Sequence, residues 1–199
     1  MPKFTTTAPI AAVLEIPAGR VQLIAADRDD TSVEVLPSNA AKSRDVRAAE
    51  KTRVEFADGV LRVSADAGNK LVGSSGSVEI TVQLPAGSRV EARAASAEFR
   101  GVGRLGDIAV EAAQGDVKID EAATLKVSTQ AGDVTVGRLT GSAEISTQKG
   151  DITVATALSA SLDAGTAHGR IRNSLKNDGT AELHIHATTA YGDITARGL

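Results

Sequence analysis

The stretch LKVSTQAGDVTVGRLTGSAEISTQKGDITV, residues 125–154, states one short phrase twice. Each copy reads apolar-x-apolar-x-Thr-Gln-x-Gly-Asp-apolar-x-apolar, so apolar and polar side chains alternate on both sides of Gly-Asp. Alternation of this kind is typical of β-strands that bury one face. The phrase therefore predicts two short strands that meet at a Gly-Asp corner, repeated along the chain.

The same frame extends beyond these two copies. With the Asp of Gly-Asp as position 0, the corresponding residues are Glu98, Asp116, Asp133, Asp151, Arg170 and Asp193, at intervals of 18, 17, 18, 19 and 23 residues. A repeat of this length with two β-patterned runs in each unit indicates a coiled solenoid, in which each turn covers the apolar face of its neighbours. We predict an all-β fold built on a parallel β-solenoid of about six turns, with about 18 residues in each turn.

Alignment on position 0 predicts which side chains stack inside the solenoid. Positions eight and six places before it, and one and three places after it, are mostly Val, Ile, Leu and Ala and should face inward. The column one place after position 0 holds Phe99, Val117, Val134, Ile152, Ile171 and Ile194. An outward column holds Lys126, Glu144, Asp163 and His186. Opposite charges on neighbouring strands of that column favour the parallel register.

A hairpin is the clearest local prediction in the N-terminal part of the chain. Residues 53–57 and 60–65 alternate in polarity and flank Asp58-Gly59. That dipeptide favours a two-residue hairpin turn because both of its residues accept positive φ. Pro17-Ala18-Gly19 predicts a second hairpin or a tight corner, since Pro fixes φ and Gly permits a positive value.

These patterns divide the chain into two portions of one continuous domain. We expect residues 1–85 to form a mostly antiparallel β portion that caps the solenoid, and residues 86–199 to hold the repeats. Residues 39–51 are the least β-like part of the chain and favour a charged surface loop over a short helix. Residues 68–76, with the sequence GNKLVGSSG, predict a flexible loop.

Composition narrows the function classes. The chain has no cysteine, so neither a disulfide framework nor a thiolate metal site is available. Its net charge is −3 with both signs interspersed, which argues against a nucleic-acid partner. The apolar run near the N-terminus is broken by Glu15 and Pro17, unlike the core of a secretory signal, and no run approaches the roughly 20 apolar residues of a membrane span. A cytoplasmic protein without a membrane span is expected.

The Gly-Asp corners have a structural and a functional interpretation. Glycines at 115, 132, 150, 169 and 192 fit a corner that needs positive φ, and the Asp that follows can accept backbone N–H bonds there. The alternative is a calcium site formed by the carboxylates of Asp116, Asp133 and Asp151 on successive turns. Arg170 interrupts that series, and the glycine-rich nonapeptides of calcium-binding β-rolls do not occur in the sequence.

Three histidines are the remaining candidates for chemistry. His184 and His186 lie on one face of a predicted strand, where solvent-exposed histidines or a divalent metal site shared with Asp163 are both conceivable. The column alignment places His168 near Tyr191 and away from the other two. Nucleophile elbows, phosphate loops and dinucleotide fingerprints do not occur, so the sequence predicts a non-enzymatic protein with no catalytic residues and no cofactor.

The end of the repeat predicts an interaction surface. The last turn in the chain, including residues 183–187, should present an edge of unpaired backbone groups. The residues offered there for interaction are His184, His186, Tyr191 and Ile194. We expect a monomer whose edge is covered or a weak end-to-end dimer. The longer interval before Asp193 is explained by an insertion at residues 177–180, predicted as a loop bulging from one corner.

The repeat phrases resemble those of a known family. Thr-Gln-x-Gly-Asp-(Val/Ile)-x-Val at residues 129–136 and 147–154, preceded by Gln-Leu-Pro-Ala-Gly-Ser at 83–88, is similar to bacterial β-strand-repeat domains of unknown function that carry the label putative adhesin. The resemblance implies a binding or scaffolding role toward an unknown protein or surface ligand, and it brings no catalytic residues. Bactofilins, which are self-assembling cytoskeletal solenoids, are the alternative for mechanism.

Overall fold

A computed structural model of the chain describes residues 2–65 and 76–199. The loop predicted over residues 68–76 lies outside the described residues, except for Gly76. The strands are β1 Lys3–Thr5, β2 Ala11–Ala26, β3 Asp30–Pro37, β4 Arg53–Ala57, β5 Val60–Ser64, β6 Val78–Pro85, β7 Arg89–Gln114, β8 Val117–Ala131, β9 Val134–Leu139, β10 Ala143–Lys149, β11 Ile152–Thr156, β12 Ala160–His168, β13 Ile171–Ser174, β14 Leu183–Tyr191 and β15 Ile194–Gly198, with helix α1 at Ser43–Lys51. The all-β prediction is confirmed.

The strands form one long mixed sheet that coils upon itself. In the repeat, two consecutive strands meet at a Gly-Asp corner, and we call such a pair a turn. One side of the stack holds the parallel series β8, β10, β14 and β12, and the other holds β8, β9, β11, β15 and β13. Equivalent frame positions lie side by side in these pairs, since Ile152 partners both Val134 and Ile194.

The last two turns stack in the reverse of their chain order. Strand β14 lies between β10 and β12, and β15 lies between β11 and β13. The prediction that residues 183–187 form the open edge is therefore wrong, because the outermost turn is β12–β13. Residues 175–182 carry the chain back over that turn, where Lys176 accepts a hydrogen bond from the Ala160 N–H at 2.9 Å. The insertion predicted as a bulging loop belongs to this crossover.

The N-terminal portion also contains turns of the stack. Strand β2 pairs in parallel with β5 and β6 on one side and with β7 on the other, which brings Gly19 beside Ala97. The antiparallel pairs are β1–β3, β3–β6 and β4–β5. The expectation of a mostly antiparallel portion is therefore wrong for β2. Pro17-Ala18-Gly19 is a corner inside β2 and not a hairpin, and the division of the chain at residue 85 stays a prediction.

Two local predictions for the N-terminal portion have opposite outcomes. The hairpin is confirmed, since β4 and β5 pair antiparallel around Asp58 at φ 51° and Gly59 at φ 75°. The surface loop at residues 39–51 is wrong, because α1 forms there. Asp45 and Ala48, three residues apart on one helix face, are buried, and the Asp45 carboxylate accepts the Ser77 N–H at 3.0 Å. Tertiary contact thus stabilises a helix that the local sequence favours weakly.

The core is a set of stacked apolar columns, as predicted. In the column one place after position 0, Phe99, Val117, Val134, Ile152 and Ile194 are all buried. Ile171 is 46% exposed although it belongs to the same column. Its turn is the outermost one, so its side chain has a neighbouring turn on one side only. The inward direction is correct for this residue, and the missing neighbour explains its exposure.

Candidate binding groove and the Gly-Asp corner

A concave groove of about 690 Å³ crosses the stack where the first strand of each turn begins. Its lining comes from outward side chains on both sides of the buried column that contains Leu125 and Ile185. One row lies nine places before position 0 and the other seven places before it. The turns pair in parallel, so each row repeats at the strand spacing of about 4.8 Å. We call this surface the groove.

The first row of the groove is joined by hydrogen bonds. In order along the stack it holds Arg89, Asp107, Thr124, Ser142, His184 and Ser161. The Asp107 carboxylate accepts from the Thr124 hydroxyl at 2.7 Å and from the Arg89 guanidinium at 3.1 Å. These two contacts, that of Thr124 first, lower the pKa of Asp107. The His184 Nδ1 bonds the Ser161 hydroxyl at 2.5 Å.

The second row alternates in charge along the stack. Its last four members are, in spatial order, Lys126, Glu144, His186 and Asp163. Lys126 Nζ lies 2.9 Å from Glu144 Oε2, and His186 Nδ1 lies 2.9 Å from Asp163 Oδ2. Stacking in chain order would have put Glu144 beside Asp163, so the reversed order of the last two turns separates two carboxylates with an imidazole. Like charges directly opposite each other destabilise a sheet, which favours the observed order.

The corner carboxylates form a ladder between turns. The Oδ1 atoms of Asp116, Asp133, Asp151 and Asp193 accept the backbone N–H at position 0 of the next turn, at 2.9, 2.8, 2.7 and 2.9 Å in that order. The prediction that the corner Asp accepts a backbone N–H is confirmed at these four residues. At the end of the ladder the Asp193 carboxylate accepts a hydrogen bond from the Arg170 N–H and forms an ion pair with the Arg170 guanidinium. That backbone N–H, and then the charges of Arg170 and Arg172, lower the pKa of Asp193.

The calcium candidates Asp116, Asp133 and Asp151 each commit one carboxylate oxygen to this ladder. Within residues 2–65 and 76–199, no group of three or more His, Asp or Glu side chains is placed to hold a metal ion. This includes the set of His184, His186 and Asp163. The carboxylates at the corner therefore act on backbone groups of the neighbouring turn.

Close backbone approach explains why glycine precedes these carboxylates. The glycines at 115, 132, 150 and 192 have φ between 128° and 153°. A Cβ atom on Gly192 would lie 2.0 Å from the carbonyl oxygen of Gly150. Gly169 is an exception to the predicted positive φ, because it does not adopt that conformation. A Cβ there would still lie 1.9 Å from the Gly192 oxygen, so the close contact alone requires glycine.

The structure separates the four residues predicted for interaction. His184 and His186 are exposed in the groove, and Tyr191 is 58% exposed near the corner. The expected neighbourhood of His168 and Tyr191 is confirmed, since their rings stack at 4.8 Å. Ile194 is 1% exposed, so its choice as an interaction residue is wrong. Its turn is covered on both sides, by β11 and by β13.

Most of the first row of the groove carries no recognisable signal of its own in the sequence. Arg89, Asp107 and Thr124 belong to no motif, and their hydrogen bonds join residues 17 or 18 places apart. The available signal was the frame itself, which assigns these positions to the outward face. It does not show that outward rows border a concave surface, because concavity depends on how the strands bend.

A solved structure is similar to this fold at a TM-score of 0.50. A search of curated proteins finds no match to this chain. A solved putative cell adhesion protein from Clostridium sporogenes is similar over 100% of this chain and 98% of its own, with 12% identity and a TM-score of 0.50. A putative adhesin from Bacteroides fragilis matches over 98% of this chain and 95% of its own, with 16% identity and a TM-score of 0.48.

No membrane-spanning helix occurs in the described part of the chain, where α1 has nine residues.

Membership of a family follows from the sequence match. The model of one family, described as Toastrack DUF4097, matches residues 16–198. That range contains the repeats from Glu98 to Asp193 and also residues 16–26 of β2, the turn that the repeat frame had left out. The resemblance stated from the repeat phrases is thereby confirmed, and the chain belongs to the Toastrack DUF4097 family.

Proposed function

We propose that this protein is a non-enzymatic, adhesin-like binding or scaffolding module whose working surface is the groove. The observation that carries the proposal is the regular series of charged and hydroxyl groups that spans six turns in fixed register. The similar solved protein named for cell adhesion supports a binding role. A parallel solenoid with about 18 residues in each turn is part of this proposal and is supported by the register of β8 with β10.

The groove suits an extended polar ligand. Groups such as Thr124, Lys126 and His186 are held by strands whose backbone is paired on both sides, so binding orders few additional protein groups. Successive turns offer a donor or acceptor at regular spacing along the stack. An unknown protein segment or surface ligand laid across the strands would meet several of these groups at once. We propose a monomer or a weak dimer as the binding form, without a cofactor.

A pair of charge reversals on one strand tests this surface. Lys126→Glu changes the groove, whereas Lys118→Glu makes the same change at an exposed site outside it. Both residues lie on β8 and are exposed, so both changes should leave the fold intact; Lys126→Glu also places a second carboxylate opposite Glu144, at a cost of a few tenths of a kcal/mol. The probes are arrays of oligosaccharides and of extended peptides, read for binding of the full chain.

The expected result is binding by the native protein and by Lys118→Glu, with a loss of at least about tenfold in Lys126→Glu. Equal binding by the two variants would move the working surface away from the groove. Absence of binding to every probe by the native protein would contradict the proposal for both ligand classes.

A further inference from the structure

The outermost turn, β12–β13, presents a long unpaired edge. Among the described residues, β12 pairs with β14 alone and β13 with β15 alone. These two strands contain nine and four residues, and apart from the Ala160 N–H, which bonds the Lys176 carbonyl at 2.9 Å, their outer backbone groups have no partner strand in the described structure. Rows of free N–H and C=O groups of this kind are templates for pairing with another chain.

Apolar columns of the core also open at this end. Ile171 is 46% exposed, while its neighbour in the column, Ile194, is 1% exposed. Leu162, Ala164 and Leu175 are partly buried against the core. One further layer of β-strands would complete their burial, in addition to pairing the backbone. The edge therefore offers apolar contact together with hydrogen bonds.

Devices that usually protect an edge strand are few here. The sequences of β12 and β13, ASLDAGTAH and IRNS, contain neither proline nor lysine. Their charged residues are Asp163 and Arg172. Asp163 is already paired with His186 at 2.9 Å, and Arg172 lies 3.5 Å from Asp193. These charges are thus occupied within the chain and do little to repel another strand.

The opposite end of the stack is closed differently. Antiparallel strands β3 and β4 cover β6 and β5, and α1 packs against β3 and β6. The outer strands there, β1 and β4, have three and five residues, and their Phe4 and Phe56 rings stack at 5.1 Å. Short edge strands and covering elements limit pairing. Head-to-tail growth into a filament is disfavoured because the two ends do not match.

We propose that two copies of this chain pair through their β12–β13 edges, antiparallel about a two-fold axis, to form a closed dimer. An isologous contact of this type consumes both open edges and leaves none for further growth. The continuous sheet would run through both copies, in the manner of strand addition to an exposed edge.

Charge supports the antiparallel arrangement. One corner of the outermost turn carries Arg170, which lies 3.3 Å from Asp193 within the chain and whose side chain is still 74% exposed to an approaching copy. The other corner carries Asp178, where the Asp178 carboxylate lies 2.9 Å from the Ser159 hydroxyl. A two-fold axis reverses strand direction, so the Arg170 corner of one copy lies over the Asp178 corner of the other. The same opposite-charge contact then occurs twice in the dimer.

Sedimentation of the full chain over a wide concentration range tests the dimer. The native protein should change from the monomer mass to twice that mass and go no further. Ile171→Lys places a charge on the exposed apolar column and should remain monomeric throughout. Leu36→Lys is the matched control, because Leu36 on β3 is 48% exposed at the closed end, and it should dimerise like the native chain.

Reversal of the charges at Arg170 and Asp178 tests the same contact with exposed residues. It keeps the proposal testable if Ile171→Lys fails to fold. Arg170→Glu and Asp178→Lys should each weaken the dimer about two- to fivefold, the scale of exposed ion pairs, and the double variant should recover affinity. Circular dichroism checks that each variant is folded. Three results would each overturn the proposal: a native monomer at every concentration, a mass that rises beyond the dimer, or Ile171→Lys and Leu36→Lys that behave alike.

Discussion

The interior turn β14–β15 and the outermost turn β12–β13 carry the same phrase in different surroundings. Ile194 and Ile171 occupy one column and partner each other, yet Ile194 is buried and Ile171 is half exposed. The repeat frame thus specifies the direction of a side chain, while the number of neighbouring turns decides its burial. Residues at the same position of the repeat frame should therefore contribute unequally to the free energy of unfolding.

Truncation of the two isoleucines should give the largest contrast. Ile194→Ala removes a fully buried side chain from the core and should lower the free energy of unfolding by about 2–5 kcal/mol. Ile171→Ala removes a half-exposed side chain and should cost less than about 1 kcal/mol. Urea unfolding in dilute solution, where the chain is monomeric, measures both. Similar losses in the two variants would mean that β12–β13 is covered in the monomer.

Added methyl groups should give the next largest contrast. A Cβ on Gly192 would meet the backbone oxygen of Gly150 at 2.0 Å. Because the backbone must then shift, Gly192→Ala should lower the free energy of unfolding by about 1–3 kcal/mol. On the outermost strand β12, a Cβ at Gly165 would meet nothing closer than 4.0 Å. Gly165→Ala should be neutral or slightly stabilising, because it reduces the entropy of the unfolded chain. Thermal unfolding of the two variants compares them, and a costly Gly165→Ala would contradict an open edge.

Asp193 joins the turns β12–β13 and β14–β15 through its carboxylate. Its replacement should give the smallest effect on stability, and that effect should depend on pH. The pKa of Asp193 is lowered from its ordinary 3.8, first by the Arg170 N–H and then by the charges of Arg170 and Arg172. A carboxyl group with a lowered pKa in the folded state stabilises above its unfolded pKa, and loses that effect as pH falls through the folded value. Asp193→Asn should therefore melt below the native protein at pH 7 and approach it below about pH 4.

Asp27→Asn is the matched control for this change. Asp27 is exposed at the turn after β2, so its replacement should leave the melting temperature at pH 7 close to that of the native protein. A difference between native protein and Asp193→Asn that stays constant down to pH 2 would show that the carboxylate charge does not hold the outermost turn.

The direction of side chains in the repeat could be predicted from sequence for a physical reason. Alternation and the Gly-Asp corner are local properties, and they fix which residues face inward wherever a turn is placed. Val134 and Ile152 illustrate this, since both are buried and lie in register. The corner ladder follows equally, because an Asp beside a close backbone approach finds the N–H of the next turn within reach.

The order of the turns could not be predicted from the same columns. Stacked columns have nearly the same composition in any order, so β14–β15 fits beside β10–β11 as well as β12–β13 does. Two signals distinguish the orders. One is the 23-residue interval that provides the crossover, and the other is the outward row in which Glu144 would otherwise face Asp163. The place of β2 was missed because Pro17-Ala18-Gly19 was interpreted as a local turn, although Gly19 and Arg20 pair with Ala97 and Glu98 at the corner of the next turn.

The reversed order of the last two turns has a consequence for biosynthesis. Residues 160–174 leave the ribosome before residues 183–198, yet the later segment lies between the earlier one and the rest of the stack. Strands β12 and β13 therefore cannot reach their native partners until β14 and β15 have been synthesised. Removal of residues 183–198 would take away the pairing partners of both β12 and β13, so the outermost turn would lose its place in the stack. The two turns at this end of the stack therefore depend on one another for assembly.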